Sequence, residues 1–598
     1  MSGYAVIVRH GGAVVTSSEL RALMPPLRRR GPHGDSISTE GPFGAASTLL
    51  DVGDRRLAQC WAHAGRFVAA GQVRIDARAS LVDELRRAGA RADDGDGDIA
   101  LFAHAWHLWN DEALARIVGE FSVVVHDRES RETTLVRDPF GVRMLFYHAA
   151  RDRLVASNTL EAVLAAGVPR DLDEDAIADY VAEGFNEDPA STTFLAVRRV
   201  PPAHRLRIHP DGSHEVREYW RLPSSTIDHS RDDVALVAEF RALLEASVDD
   251  RIRSPSLTVF MSGGLDSTTL AAIVADHVGD PSRVLARTAH LPTLAPDEDT
   301  ERARAAAAAI GIRHVLSDVD DHGYREGTAV APPDTPEPHD DPDLIAMRDE
   351  LRQASVHSLV AFWGEDPDAF LAPPHLLDLL RGSASSRLVI DAIAYTIRHR
   401  ARPYLGIRGL VRGRRVRASR MAESEAGPEW LRADLRRRRA ERLRSRIEST
   451  HPTRSEAARR LEQWHWQPFL ESLDAGFHGV PIDVRLPYLD VRLIEFAFGV
   501  PPIPWMQRKH LLREAARGLI PEAIRLAPKR GLPGVYKARA RQWWSRDPAP
   551  FIPSDALAHF VDVRALPSVD RSSSATDVRA HLRLRILDRW LRARSDTA

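Results

Sequence analysis

Over residues 1–221, apolar and polar positions alternate in short runs: YAVIV from Tyr4, GAASTLL from Gly44, RFVAAGQV from Arg66, FSVVVHD from Phe121, TTLVRD from Thr133, MLFYH from Met144 and RLVAS from Arg153. Alternation of this kind marks strands with one buried face, and the Gly, Pro and Asp residues between the runs are turn formers. Two stretches carry helical spacing instead, SLVDELRRAGA from Ser80 and IALFAHAWHLW from Ile99. The pattern predicts an α/β/β/α sandwich of stacked antiparallel sheets. Leu222 to Asp233, LPSSTIDHSRDD, is polar and aperiodic and reads as a linker. A helical pattern then runs from Val234 to Ile252, followed by the strand SLTVFM, a glycine turn, the helix STTLAAIVADHV and two more strand patterns, RVLARTA and IRHVLSDV. Strand, loop, helix, strand in that order predicts a parallel α/β sheet. Beyond Phe370 the chain reads mostly helical, so residues 234–598 are expected to form a second, α/β domain with a helical extension.

Composition changes the picture in three places. Hydrophobic residues are 43% and charged residues 28%, the chain shows no apolar run of membrane-spanning length, and MSGYAVIVRHGG lacks the charged start and continuous apolar core of a signal peptide. The single cysteine, Cys60, rules out an internal disulfide framework, so a cytoplasmic protein is expected. A net charge of -2 gives no reason to expect nucleic acid or a membrane as partner. The charge is unevenly spread, however: Arg398 to Arg446 is strongly basic, and Asp334 to Asp349 is acidic and proline-rich. Both read as solvated faces, with a peptide-binding surface as the other reading of the basic segment. All but three of the 82 basic residues are arginine, and the lysines, Lys509, Lys529 and Lys537, fall in one short stretch. A lysine ammonium is a compact, mobile point charge that a rigid guanidinium does not replace.

The motif that decides the chemistry is Ser262-Gly263-Gly264-Leu265-Asp266-Ser267, which follows Met261 at the end of a strand and leads straight into a helix. Two glycines let the backbone approach a phosphate closely, and the free amides at the helix start supply donors and a positive dipole end. Asp266 would repel phosphate unless Mg²⁺ sat between them. The Gly-x-x-x-x-Gly-Lys pattern of a Walker A loop is absent. The loop resembles instead the pyrophosphate-binding loop of ATP pyrophosphatases, which cleave ATP between the α and β phosphates.

With that loop placed, nearly the whole chain resembles the asparagine synthetase family. In the first half the resemblance is carried by Arg30-Gly31-Pro32, Val118-Gly119-Glu120-Phe121, Arg137 to Arg143, Val200-Pro201-Pro202 and Tyr219-Trp220. In the second half it rests on Gly364-Glu365-Asp366-Pro367-Asp368, on Arg485-Leu486-Pro487-Tyr488-Leu489-Asp490, on Trp505 to Arg513 and on Pro528-Lys529. The resemblance implies ATP and Mg²⁺ as cofactors. Met261 to Ser267 and Gly364 would bind ATP and pyrophosphate, Asp266 and Asp368 the metal. Lys509 and Lys529 would stabilise charge as pyrophosphate leaves, and Glu365 would be the base that deprotonates the attacking amine. Asp366-Pro367 and Ala369 depart from the family's GEGxDE turn. Lys537 matches no motif and reads as a surface residue.

In glutamine-dependent members the residue after the initiator methionine is a cysteine nucleophile; here it is Ser2. The family's Asn-Gly-Glu oxyanion segment reads Ala70-Gly71-Gln72, a loss worth roughly 3 kcal/mol of transition-state stabilisation. Asp98 remains of the old glutamine site, and Cys60 is misplaced for a nucleophile. The expectation is an inactive glutaminase-like domain and an amine taken from elsewhere. Among family members with that change, the chain is most like the lasso peptide macrolactam synthetases, because Glu365 stands where β-lactam synthetases carry a tyrosine and the basic segment is an insertion. That likeness implies a precursor (core) peptide as substrate, with a leader-binding protein and a leader peptidase as partners. A β-lactam synthetase, an ammonia-dependent asparagine synthetase and a non-catalytic scaffold stay open as alternatives.

Overall fold

In the computed structural model, residues 2–595 are described, apart from 225–226, 291–297, 320–333, 341–343, 366, 383–384, 406–426, 446–450, 463–465, 530–550, 567–568 and 570–572. Lys537, Asp366 and much of the basic segment thus lie outside the described residues.

The first half of the chain builds two six-stranded antiparallel sheets. Its strands are β1 (Gly3–Arg9), β2 (Asp35–Glu40), β3 (Phe43–Thr48), β4 (Trp61–Ala64), β5 (Phe67–Ile75), β6 (Gly119–Asp127), β7 (Thr133–Arg137), β8 (Phe146–Ala149), β9 (Arg153–Ser157), β10 (Arg198–Arg199), β11 (His204–Ile208) and β12 (His214–Glu218). One sheet has the order β10-β8-β9-β1-β3-β2, the other β12-β11-β7-β6-β5-β4. Their inner faces meet through Tyr4, Val6, Val8, Val68, Val124 and Leu135, the alternate positions of β1, β5, β6 and β7. Helices α1 (Ser17–Arg28), α2 (Arg78–Arg87), α3 (Asp98–Trp109) and α4 (Leu160–Ala165) cover the outer faces, completing an α/β/β/α sandwich. A fifth helix, α5 (Glu174–Glu183), lies at its edge.

Helix α6 (Asp233–Asp249) opens the second half, with the Asp232 carboxylate accepting from the amides of Val234 and Ala235. Strands β13 (Leu257–Phe260), β14 (Val284–His290), β15 (Arg313–Asp318), β16 (Val360–Trp363) and β17 (Asp483–Arg485) form a parallel sheet ordered β15-β14-β13-β16-β17. Helices α7 (Leu265–Val278), α8 (Glu298–Ile310) and α9 (Leu344–His357) connect and cover the strands. The chain winds outward from β13 in one direction through β14 and β15, and in the other through β16 and β17. The crevice beyond the carboxyl ends of β13 and β16 is therefore a topological switch point, where open α/β sheets bind ligands. β17 interrupts a region that reads as helical, because three residues carry too little periodicity to register. Helices α10 (Pro367–Phe370), α11 (Leu376–Gly382), α12 (Ser385–His399) and α13 (Ala433–Ser445) follow β16. Among the described residues no helix is long and apolar enough to cross a membrane.

The two halves are riveted by buried arginine–carboxylate pairs. Arg30 of the sandwich holds Asp474 through both its Nη atoms. Arg143 reaches Asp483 at 3.0 Å, and Arg251 bridges Asp76 and Asp490, each at 3.0 Å. The basic helix α13 is not a free surface either. Arg438 pairs with Glu174 at 2.6 Å, Arg439 with Glu187 at 2.7 Å and Arg442 with Asp179 at 2.8 Å, so one side of the helix docks onto acidic α5 and the segment after it, while Arg437 and Arg444 are exposed.

Candidate active site

The Ser262–Ser267 loop sits at the carboxyl end of β13. Met261 is anchored by its amide to the Arg287 carbonyl at 2.8 Å. The Ser262 amide donates to Ser267 Oγ at 3.0 Å, and the two hydroxyls lie 3.1 Å apart, which closes the loop over the helix start. Gly263 has φ +73°, and a Cβ there would come within 2.6 Å of the Ala303 amide nitrogen. Only glycine combines that dihedral with that proximity. Gly264 is the N-cap of α7 and supplies no side-chain cap, so the first amides of the helix, including those of Leu265 and Asp266, keep their donors for a ligand. Gly364, just beyond β16, lets the neighbouring loop close in: a Cβ there would lie 3.1 Å from Ser267 Cα.

Around this cradle the structure gathers the charged residues expected from sequence. Lys509 Nζ lies 2.5 Å from Asp266 Oδ2 and 2.8 Å from Asp368 Oδ1, and Lys529 Nζ lies 2.5 Å from Asp368 Oδ2. Four residues spread over more than two hundred positions of chain thus form one alternating cluster. Burial pushes the Asp266 carboxyl up, against the pull of Lys509 and with the push of Asp368. Burial also works against ionisation of Asp368, yet Lys509 and Lys529 outweigh it and hold that carboxyl below its ordinary value. Glu365 opens to solvent on one side, but protein crowds its other sides. That partial desolvation, then repulsion from Asp368 and Asp266, raises its pKa, while Trp363 Nε1 donates to Glu365 Oε2 at 3.2 Å and opposes the rise.

The residues present fit a divalent cation. Asp266 Oδ1 is buried and has no hydrogen-bond partner, the state of a carboxylate oxygen built to meet a cation or its water. Among the described residues no three acidic, His or Cys side chains converge on one point, so two carboxylates would share the ion with substrate oxygens. Mg²⁺ is bound in that manner at phosphate-transfer sites.

Two parts of the site escape sequence reasoning. Arg508 and Lys509 both have left-handed backbones, φ +51° and +55°, which turn the lysine into the crevice. Nothing in the side-chain pattern signals that conformation. Tyr488 is buried and its hydroxyl donates to the Asp266 carbonyl at 2.9 Å, bracing the helix start; the motif around it marks its position but not its partner.

In the N-terminal sandwich the polar groups around Ser2 and Asp98 are engaged with one another. Ser2 is buried, its Oγ accepting from the Leu50 amide at 3.2 Å. The Gly71 amide, the backbone donor left in Ala70-Gly71-Gln72, is taken by the Cys60 carbonyl at 2.7 Å. Gln72 turns inward to Asn158, whose Nδ2 donates to it at 3.1 Å. Asp98 is clamped by Arg78 at 3.1 Å and by Arg253 of the second half at 2.6 Å. Cys60 lies beside Ser2 and Ser47. Burial pushes its thiol up to about 11, which leaves almost no thiolate at neutral pH.

Comparison with known proteins agrees with both halves. The family profile described as asparagine synthase matches residues 239–567, and that described as glutamine amidotransferase domain matches residues 1–220. A protein of Mycobacterium tuberculosis (strain ATCC 25618 / H37Rv), provisionally described as a glutamine-hydrolysing asparagine synthetase, is 27% identical over 494 residues, covering 76% of this chain and 72% of its own. Asparagine synthetase (glutamine-hydrolysing) 1 of Bacillus subtilis (strain 168) is 23% identical over 468 residues, covering 73% of this chain and 71% of its own.

Proposed function

The chain belongs to the asparagine synthase family, and from that premise we propose that it is an ATP-dependent amide ligase drawing both reacting groups from a peptide. It activates an Asp or Glu side chain of a precursor peptide as the acyl-adenylate, releasing pyrophosphate. The peptide's N-terminal amine then attacks, the macrolactam closes and AMP leaves. This is the reaction of lasso peptide biosynthesis, and a leader-binding protein and a leader peptidase are the partners that go with it.

The observation that carries the reading is the engagement of Asp98 and of the Gly71 amide inside the N-terminal sandwich. Asp98 held by two arginines and the Gly71 amide paired to the Cys60 carbonyl support an amine that does not come from glutamine. The synthetase cluster is meanwhile complete. Asp266 and Asp368 would hold Mg²⁺, which neutralises phosphate charge and orients the reacting oxygens. The free amides at the start of α7 donate to the phosphates. Lys509 and Lys529 follow the negative charge as pyrophosphate departs. Glu365 takes the proton of the attacking amine, and its raised pKa brings it nearer the range in which a carboxylate is an effective base.

The test is incubation with ATP, Mg²⁺ and peptides that carry a free N-terminal amine and an internal Asp or Glu. Loss of one water from the peptide, with equal amounts of AMP and pyrophosphate, is expected. N-terminal acetylation of the peptide should stop closure and leave adenylation. Amidation of free aspartate by ammonium, with no peptide product, overturns the reading in favour of an ammonia-dependent synthetase.

A further inference from the structure

Helices α11 and α12 each have two apolar faces, and only one of each is used. Leu379, Leu388 and Tyr395 are buried against Ile503 in a small core of their own. On the other side Leu377, Leu380, Val389, Ile390, Ile393 and Ile397 are between 45% and 75% exposed. On α12 the positions 389, 393 and 397 recur at four-residue spacing, so they form one stripe along the helix. Contiguous exposed apolar residues of this size mark a binding surface in a folded protein.

Two further observations say what covers the stripe. The charged side chains exposed over 376–405 are all basic, namely Arg381, Arg387, Arg398, Arg400 and Arg402, of which Arg387 pairs with Asp391 at 3.0 Å and Arg398 with Asp233 at 3.5 Å. The two carboxylates of the segment, Asp378 and Asp391, are turned in to Ser455 and to His229 and Arg387. The surface is also continuous with the synthetase site. The His399 ring at the end of α12 meets His510 at 4.9 Å, immediately after Lys509, and α11 begins eight residues beyond Asp368.

We propose that the exposed face of α11 and α12 is the docking surface for an apolar, acidic segment of the peptide substrate, held beside the adenylation site. This rests on the peptide-ligase reading and names the recognition chemistry it lacks. The stripe buries the peptide's apolar residues, and the arginine border attracts its carboxylates and raises the association rate at low salt. A basic or purely polar peptide leaves the border repelled or the stripe wet.

The probe is a fluorescein-labelled peptide of alternating Leu and Asp, with Leu-Lys and Ser-Asp counterparts, read by anisotropy on the full chain. Saturable binding of the Leu-Asp peptide is expected, weakened by salt and at least tenfold weaker to the Ile393→Glu, Ile397→Glu protein. Arg398→Glu should weaken it as well. Both isoleucines are exposed, so the variants should melt as the parent does. Equal binding of the Leu-Lys peptide, or unchanged binding by the double variant, overturns the proposal. A parent that is dimeric by light scattering, converted to monomer by the same variant, also overturns it, because a second copy then covers the face. If docking behaves as expected but no peptide is adenylated, the ligase reading fails while the surface stands.

Discussion

At the scale of single residues, the site is an arrangement of opposite charges that hold one another in place until phosphates arrive. Lys509 touches both aspartates, so removing its charge leaves Asp266 and Asp368 repelling each other in a partly desolvated crevice. Lys509→Met is expected to lower ATP-pyrophosphate exchange by about a hundredfold or more, the loss typical of a transition-state charge partner. Unchanged exchange would mean that the ammonium only fills the crevice. These residues were legible for two reasons. The glycine loop needs particular residue types at fixed spacing, and a chain nearly devoid of lysine left few candidates. Tyr488 and Trp363 were not legible as partners, since a hydroxyl to a carbonyl 222 positions away and an indole to a carboxylate are products of folding.

At the scale of elements, the long alternating strands and amphipathic helices declared themselves because each has one buried face. The polar edge strands β2 and β12 did not, since strands with solvent on both faces have no alternation to detect. The basic stretch misled in its own way. Its arginines read as a solvated face, but α13 meets the acidic α5 from the other end of the sequence. Arg439 is fully buried among Asp179 and Glu187, so Arg439→Ala should leave the buried Glu187 carboxylate uncompensated and Asp179 with Arg442 alone, and destabilise the protein by about 3–5 kcal/mol. A denaturant midpoint within error of the parent's would refute the docked arrangement. In the nucleotide loop, Gly263→Ala forces a side chain into the left-handed region and against α8, at a cost of about 1–3 kcal/mol, so ATP affinity should fall while the melting temperature drops only a few degrees. Calorimetric titration with ATP and Mg²⁺ checks it.

At the scale of the molecule, the N-terminal sandwich is part of the synthetase's structure. Arg30, Arg143 and Arg251 tie it to the strands and loops behind the crevice, and removal of either partner would leave a buried charge. His478 lies in the same interface region, fully buried, with Nδ1 accepting from the Val480 amide at 3.0 Å and Nε2 facing the Leu473 carbonyl at 3.2 Å. Burial depresses its pKa to about 3. The unfolded imidazole binds a proton below its ordinary pKa of about 6.5, and the folded one does not until far lower. Its contribution is therefore complete above pH 6.5 and is lost as pH falls toward the folded value. His478→Gln should flatten the pH dependence of unfolding by about 1.4 kcal/mol per pH unit between pH 6 and 4; an unchanged slope in denaturant melts would contradict it.

In the proposed reaction the crevice at β13 and β16 adenylates a carboxylate carried by a peptide. ATP-pyrophosphate exchange with the full chain and Mg²⁺ reads that step alone, before any amine attacks. Exchange is expected to depend on a peptide bearing Asp or Glu, to be indifferent to added glutamine and to be abolished in Asp266→Ala without loss of the fold. Exchange driven by free aspartate and not by peptide, or exchange that survives in Asp266→Ala, would contradict it.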